Sequence, residues 1–350
     1  MLSGKYYGAS CHTATHGYNV GGANVPSVHL NVIARYAFAS ASNEVDVGDK
    51  TITTRHCSGA SSETYGYSCG GQPASGPYSD VIDKFQFGSS ANATDVGNLV
   101  TGEKRNAGQS STTHGYASSV GGQVYTIVKW TFASDNNATS VGNILTRSAN
   151  SPGASCSTTH GYNHGGGYPG VNIIDKFPFA SDTNSSDVGN LTIGRQVMGG
   201  NTSFDYGYCH GGRGPGSTNH NVIERYSFSS DGNSVDVGDL TRTAWGGRGN
   251  VQSETYGWTM GGGGSWHSNV IDRYQFAASS NATDWGDLSV SQGSGDGHSS
   301  QTNGYYTGGG ITNGNTVGSA CEKWTLSSAG NSADVFDLSV NRKMVQGTHV

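Results

Sequence analysis

The chain repeats one sequence template seven times. A glycine followed by an aromatic residue recurs at spacings of 49, 49, 46, 46, 50 and 47 residues. Each copy continues through a double glycine, an aromatic-bearing segment such as NVIDRYQF, and a DVG tripeptide, which the last copy replaces with DVF. The anchoring glycines are Gly17, Gly66, Gly115, Gly161, Gly207, Gly257 and Gly304. A period of roughly 40 to 50 residues indicates either propeller blades or a solenoid.

Each repeat has the pattern of four short β-strands. The segment 269–276, NVIDRYQF, alternates between two faces as a strand does. The Ser-, Asn-, Asp- and Gly-rich segment that follows it is typical of a hairpin turn. In the second repeat, strands are predicted near GASSET and through YGYSCGG, DVIDKFQF and TDVGNLV. Four strands per repeat without a helical stripe predict an all-β fold, a seven-bladed β-propeller of four-stranded kelch-like blades.

The predicted propeller is a single domain that fills residues 1–350. Its units are 1–50, 51–100, 101–147, 148–195, 196–242, 243–290 and 291–340. The segment 341–350 has no unit of its own. We expect it to add a closing strand to the first blade, or else to extend onto a neighbouring molecule.

The recurring glycine is predicted to serve packing. We expect it to let an aromatic ring from the next blade's third strand approach the backbone, and we expect the double glycine to form a tight turn. One such ring occurs in each third strand: Tyr36, Phe85, Trp130, Phe177, Tyr226, Tyr274 and Trp324.

The repeat resembles the kelch family of propellers, which includes the central domain of galactose oxidase. The shared features are the double glycine that ends the second strand, the aromatic residue ahead of it, the aromatic third strand and an arginine between units. In this chain DVG replaces the usual fourth-strand tryptophan, which survives only as Trp285. The order and spacing of these motifs are also similar to those in kelch-like proteins of marine phages and other aquatic viruses, and this resemblance implies a place in or near a virion. No residues here match the copper site of galactose oxidase as a set.

Composition narrows the classes of partner. Charged residues make up 13% of the chain, the net charge is −6, and no cluster of Lys or Arg exists, so a nucleic acid is not an expected partner. No run of eighteen apolar residues is present, so no membrane-spanning segment is predicted. The opening MLSGKYYGAS lacks the apolar segment of a secretory signal.

The cysteines and histidines have structural and chemical interpretations. Cys57 and Cys69 share a unit and are close enough in sequence to pair across neighbouring strands, although free buried thiols fit the irregular cysteine positions better. His16, His114 and His160 occupy one repeat position, where three histidines on a ring could bind a metal. Tyr65, Tyr206 and Tyr256 stand there in other units, which favours a structural role, and no metal or cofactor is predicted.

A basic residue recurs in every third strand, and acidic or amide residues flank DVG. These charges could form a ligand-binding ring, but intrablade ion pairs and turn caps explain a sevenfold repetition better. The basic residues are Arg35, Lys84, Lys129, Lys176, Arg225, Arg273 and Lys323.

Candidate binding residues lie in the variable loops after the double glycines, because loops on a rigid scaffold usually carry binding. Tyr78, Tyr168, Trp266 and His267 are the side chains there that suit stacking on sugar rings, although each could equally cover a neighbouring blade. Six N-glycosylation sequons are possible modification sites: Asn92, Asn137, Asn184, Asn190, Asn201 and Asn281.

No catalytic set emerges from the motifs, so the chain is expected not to be an enzyme. The favoured interpretation is a virion-associated or extracellular attachment protein whose loops bind a host glycan or a neighbouring structural subunit, including a second copy of itself. The alternatives are a purely structural decoration or filament subunit and, less favoured, an enzyme acting on polysaccharide, since fold alone does not exclude activity.

Overall fold

The seven repeats fold into the seven blades of a β-propeller. The computed structural model describes residues 8–24, 28–40, 42–104, 107–118, 125–145, 152–167, 170–245, 249–262, 267–311, 316–340 and 345–347. Each blade is built on four antiparallel strands arranged in sequence order, with further strands added to the sheets of blades one and six, and the first strands of successive blades contact one another around the central axis. The all-β, seven-bladed prediction is therefore confirmed.

The first four blades have the following strands. Blade one contains β1 (Gly8–His12), β2 (His16–Ala23), β3 (His29–Ala37) and β4 (Val45–Asp49). Blade two contains β5 (Ser58–Ser61), β6 (Tyr65–Cys69), β7 (Val81–Gln86) and β8 (Thr94–Asn98). Blade three contains β9 (Ala107–Ser110), β10 (His114–Ser118), β11 (Thr126–Thr131) and β12 (Thr139–Asn143). Blade four contains β13 (Gly153–Cys156), β14 (His160–His164), β15 (Ile173–Pro178) and β16 (Ser186–Asn190).

The last three blades follow the same order with small additions. Blade five contains β17 (Gly199–Thr202), β18 (Tyr206–His210), β19 (Val222–Ser227) and β20 (Val235–Asp239), with a 3-10 turn at Pro215–Ser217. Blade six contains β21 (Gly249–Gln252), β22 (Tyr256–Met260), β23 (Ser268–Gln275) and the long β24 (Thr283–Gly293). Blade seven contains β25 (Asp296–Ser299), β26 (Asn303–Thr307), β29 (Ala320–Thr325) and β30 (Ala333–Asp337), and its short β27 (Gly310–Ile311) and β28 (Thr316–Val317) extend the sheet of blade six.

The C-terminal tail reaches the centre of the disc. Its strand β31 (Val345–Gly347) pairs in parallel with β1 and also contacts β25 and β5, the first strands of the seventh and second blades. Residues 341–344 and 348–350 of the predicted closing segment lie outside the described residues.

The recurring glycine makes room for a ring of its own blade, not of the next blade as the sequence had suggested. Gly17 pairs with Tyr36 across β2 and β3, and Gly66 pairs with Phe85 across β6 and β7. A Cβ atom at either glycine would collide with the ring of its partner. The interblade contact is made instead by the aromatic residue after the glycine: Tyr18 packs on Phe87 of blade two, with ring centroids 5.0 Å apart. The double glycines have left-handed dihedrals wherever they are described, as the tight turn requires.

The DVG tripeptide holds the rims of neighbouring blades together. The Asp46 carboxylate accepts the Gly48 N–H at 3.0 Å, and a Cβ atom at Gly48 would collide with the Ala91 carbonyl of the next blade's hairpin. The Asp49 N–H then donates to Asn92 Oδ1 in that hairpin, also at 3.0 Å. The same bond from strand four to the next hairpin's asparagine occurs at all seven interfaces.

The ion pairs of the third strands cross between blades, which corrects the intrablade arrangement expected from the sequence. Lys84, Lys129 and Lys176 each pair with an aspartate in the hairpin of the following blade: Asp135, Asp182 and Asp231 respectively. The cause is geometric, because the third strand ends where the next blade's hairpin packs against it. Turn capping by the DVG aspartate is as expected.

The seam between blades seven and one differs chemically from the other interfaces. Phe336 stands where Gly48 stands in blade one, and its ring packs on Tyr36 with centroids 4.9 Å apart. Glu44 is buried after the first hairpin and accepts bonds from Asn19 Nδ2 at 2.7 Å and from the Ser339 hydroxyl at 3.0 Å. Glu44 thus supplies a buried carboxylate to blade one, whose third strand contains no acidic residue.

All six cysteines are free thiols, so Cys57 and Cys69 do not form a disulfide. Cys69 Sγ instead lies 3.0 Å from Ser58 Oγ in the neighbouring strand. Within the described part of the chain, no helix has the length and apolarity needed to cross a membrane.

Candidate functional site

The strand order gives the disc two different faces. The turns between first and second strands and the hairpins between third and fourth strands lie on one face, called here the hairpin face. The loops after the double glycines and the links between blades lie on the opposite face, called here the linker face. This division follows from the antiparallel order of every blade.

Two of the predicted sugar-stacking residues, Tyr78 and His267, lie on the linker face. Tyr78 is half-buried, and Lys104 Nζ lies 4.4 Å from the centroid of its ring, so one face of that ring is covered. His267 is half-buried just before β23. Tyr168 and Trp266 lie outside the described residues. The two described residues, Tyr78 and His267, belong to blades two and six respectively.

The sequons fall into two structural groups. Asn92, Asn137, Asn184 and Asn281 are exposed at the rim of the hairpin face, and each uses Oδ1 for the interblade bond described above. Because a glycan attaches through Nδ2, that bond is compatible with glycosylation. Asn190 is half-buried at the end of β16.

Asn201 differs from the other sequon asparagines because it is only 2% exposed. Its Nδ2 donates to the Val251 carbonyl at 3.0 Å, and its Oδ1 accepts the Tyr274 hydroxyl at 2.8 Å. The folded chain thus leaves no room for a glycan at Asn201.

The three histidines that share a repeat position lie in three different blades. Each ring Nδ1 is 2.8 Å from the hydroxyl of the preceding threonine, as in the pair Thr113 and His114. Burial lowers the pKa of all three. Among the described residues, no group of three or more His, Cys, Asp or Glu side chains is arranged to hold a metal ion.

Two other histidines, His164 and His210, are fully buried between blades. His164 Nδ1 lies 3.1 Å from the Tyr226 hydroxyl, and His210 Nε2 lies 3.3 Å from Asn201 Oδ1. Burial lowers the pKa of each to about 3. Both side chains are therefore neutral at physiological pH.

These two histidines should make the protein sensitive to acid. Their pKa values are depressed in the folded state, so the unfolded chain binds more protons and stability falls as the pH drops from about 6.5 towards 3. At pH 5.5 we expect each to lower the free energy of unfolding by about 1 kcal/mol relative to pH 7.5. His210→Met, which copies the buried Met260 of blade six, should reduce this loss in denaturant titrations at the two pH values. An unchanged pH dependence in His164→Met and His210→Met would contradict the assignment.

The hairpin face has a central mouth formed by the turns between first and second strands. In each turn a serine or threonine hydroxyl accepts backbone N–H groups; Ser62 Oγ, for example, accepts the Tyr65 N–H at 3.0 Å. This bond fixes the turn and leaves the two following side chains exposed at the axis, as Glu63 and Thr64 are in blade two. The mouth is consequently rich in hydroxyl groups on a rigid frame.

Three depressions of about 800, 570 and 330 Å³ make up the mouth. Each pair of depressions shares a prominent side chain. Glu63 lines the largest and the smallest, Glu254 lines the two larger ones, and Phe204 lines the two smaller ones. The depressions therefore form one continuous surface with two carboxylates and one aromatic ring at the junctions.

Phe204 is the most exposed large apolar side chain of the described residues, at 90%. It follows Ser203 in the turn of blade five, where other blades carry Ala14, Glu63, Thr112, Thr158, Glu254 and Gln301. A phenyl ring this exposed contributes little to folding, and at the centre of a concave surface that carries many hydroxyl groups it is available to a ligand.

Sequence reasoning missed this mouth. The predicted candidates lie in loops that vary in length, whereas the turns of the mouth have a constant length and differ only in one or two side chains. The available signal was Phe204 itself, an apolar residue in a position that is otherwise small or polar.

No protein-family model matches this chain, and no curated protein shows significant similarity to it.

Proposed function

We propose that this chain is a non-enzymatic attachment protein that binds a carbohydrate chain at the mouth of its hairpin face. The observation that carries the proposal is Phe204, 90% exposed at the junction of two depressions lined largely by serine and threonine hydroxyls. Saccharide sites commonly combine an aromatic platform for the apolar face of a sugar ring with hydrogen-bonding groups for its hydroxyls. The mouth offers both on turns whose geometry is fixed.

The setting that we propose is a virion surface or an extracellular assembly. Its support is the resemblance of the repeat to the kelch family and to kelch-like proteins of aquatic viruses. A disc that presents one concave face with many hydroxyl groups suits display, because the opposite face then remains for contact with a neighbouring structural subunit. A purely structural subunit is the competing interpretation, and it predicts ordered oligomers without retention of any sugar.

Replacing Phe204 with alanine should abolish most of the sugar binding. A glycan array with the purified protein would first identify binding oligosaccharides, and titration calorimetry would then compare the variants. Loss of a central aromatic contact typically weakens binding at least about tenfold. Phe204→Trp should retain binding because it keeps a flat apolar platform.

Two controls locate the binding surface. Val235→Ala removes an apolar side chain that is 59% exposed at the outer edge of the same blade, and it should leave affinity unchanged. Trp266→Ala together with Tyr168→Ala tests the loops of the linker face. Selective loss of binding in that double variant, with Phe204→Ala unaffected, would move the site to the opposite face.

A further inference from the structure

We infer that the mouth selects sugars that carry a protonated amine and rejects acidic sugars. This inference rests on the proposed carbohydrate site and concerns only the class of saccharide. It derives from the carboxylates of Glu63 and Glu254 at the mouth, which no lysine or arginine of the described lining offsets.

Glu63 and Glu254 carry the negative charges. They lie at the two junctions between depressions that do not contain Phe204. Glu63 and Glu254 are both exposed, and they approach the largest depression from blades two and six. Within the described part of the chain, neither carboxylate has a salt-bridge partner. Two unpaired carboxylates on one concave surface attract a cation more strongly than an isolated one, because their potentials add.

No lysine or arginine is among the described residues that line the three depressions. On the hairpin face, Lys84, Lys129 and Lys176 are paired with aspartates of the rim hairpins. At the equivalent positions Arg225, Arg273 and Lys323 lie over aromatic rings. Within the three depressions, a uronic, sialic or sulfated sugar would therefore meet carboxylates and no lysine or arginine of the described lining.

A buried hydroxyl in the mouth also lacks a partner. Ser61 lines the depression that holds both Glu63 and Phe204, and it is only 1% exposed. Its Oγ makes no hydrogen bond, although the neighbouring Ser61 N–H donates to Ser110 Oγ at 3.0 Å. Buried polar groups are nearly always satisfied in native proteins, so this hydroxyl at the edge of a depression is a group that a bound sugar or an ordered water can satisfy.

The test compares three oligosaccharides of equal length by titration calorimetry at about pH 6, where sugar amines are largely protonated. They are a glucosamine hexamer, its fully N-acetylated form and a galacturonate hexamer. We expect the free amine form to bind about fivefold more tightly than the acetylated form, from two exposed charge contacts, and the acidic form not to bind measurably. The preference should disappear in Glu63→Gln/Glu254→Gln, whereas Asp334→Asn, which removes an exposed carboxylate from the outer strand of blade seven, should preserve it.

The outcomes separate this inference from the proposed function. If the acetylated or acidic hexamer binds as tightly as the amine form, and Phe204→Ala still abolishes binding, the amine preference is wrong and the carbohydrate site stands. If the preference survives in Glu63→Gln/Glu254→Gln, the two carboxylates do not cause it and the inference fails. If none of the three hexamers binds and the array also shows no retained sugar, both proposals are overturned.

Discussion

Arg195→Met should lower the free energy of unfolding by about 3 to 5 kcal/mol, the usual cost of leaving one partner of a buried ion pair alone. Arg195 and Glu224 are both fully buried and form a salt bridge between the link from blade four and the third strand of blade five. Arg195 also donates to the Gly211 carbonyl at 2.6 Å and to the Val222 carbonyl at 3.2 Å. Without the guanidinium, the Glu224 carboxylate stays in the core with only neutral donors.

A double variant distinguishes this explanation from a simple packing defect. Arg195→Met/Glu224→Leu removes both charges, and we expect its stability to return to within about 2 kcal/mol of the parent protein. Chemical denaturation followed by tryptophan fluorescence would measure all three proteins. Equal stability of the single and double variants would show that the buried carboxylate is not the source of the loss.

Gly161→Ala should lower the free energy of unfolding by about 3 kcal/mol, at the upper end of the range for overpacked cores. Its added Cβ would collide with the ring of Phe177, its partner across β14 and β15. That ring is only 1% exposed and packs on Tyr116 of blade three, so it has no free space into which to move. The strain therefore falls on an interblade contact.

The control for this substitution is a glycine with open space around it. A Cβ atom at Gly330 would meet no atom within 4 Å, so Gly330→Ala should change stability by less than about 0.5 kcal/mol. Gly161→Ala/Phe177→Leu reduces the size of the facing side chain and should recover part of the loss. A Gly161→Ala variant as stable as Gly330→Ala would contradict the close approach of glycine and ring.

The propeller could be predicted because the residue pattern within each strand and the spacing of the repeats indicate the same fold. The alternation in NVIDRYQF predicts a strand, and the constant spacing of Gly257 and its equivalents predicts the number of blades. The blade whose glycine each aromatic ring contacts could not be predicted in the same way. Whether Tyr36 covers Gly17 of its own blade or a glycine of the neighbouring blade depends on the cross-strand register, and both arrangements have the same sequence period.

The mouth was harder to foresee because it is assembled from all seven repeats. Glu63, Phe204 and Glu254 are separated by roughly one to four repeats in sequence and become neighbours of the same cavities only when the ring closes. The loops of the linker face differ from blade to blade in length, which favours them as candidate binding sites. Variation in length, however, indicates tolerance to change as much as function.

The seam bears on how the gene for such a repetitive chain can change. Recombination between similar repeats can delete or duplicate a unit, and the six interfaces in which a fourth-strand glycine packs against the next hairpin would accept a further internal copy locally. Phe336 and Glu44 each occur at a single interface, so loss of either end unit would bring a phenyl ring or a buried carboxylate against an unmatched surface. The terminal blades therefore act as a matched pair of ends, and we expect a change in the number of units to be tolerated only where it keeps both of them.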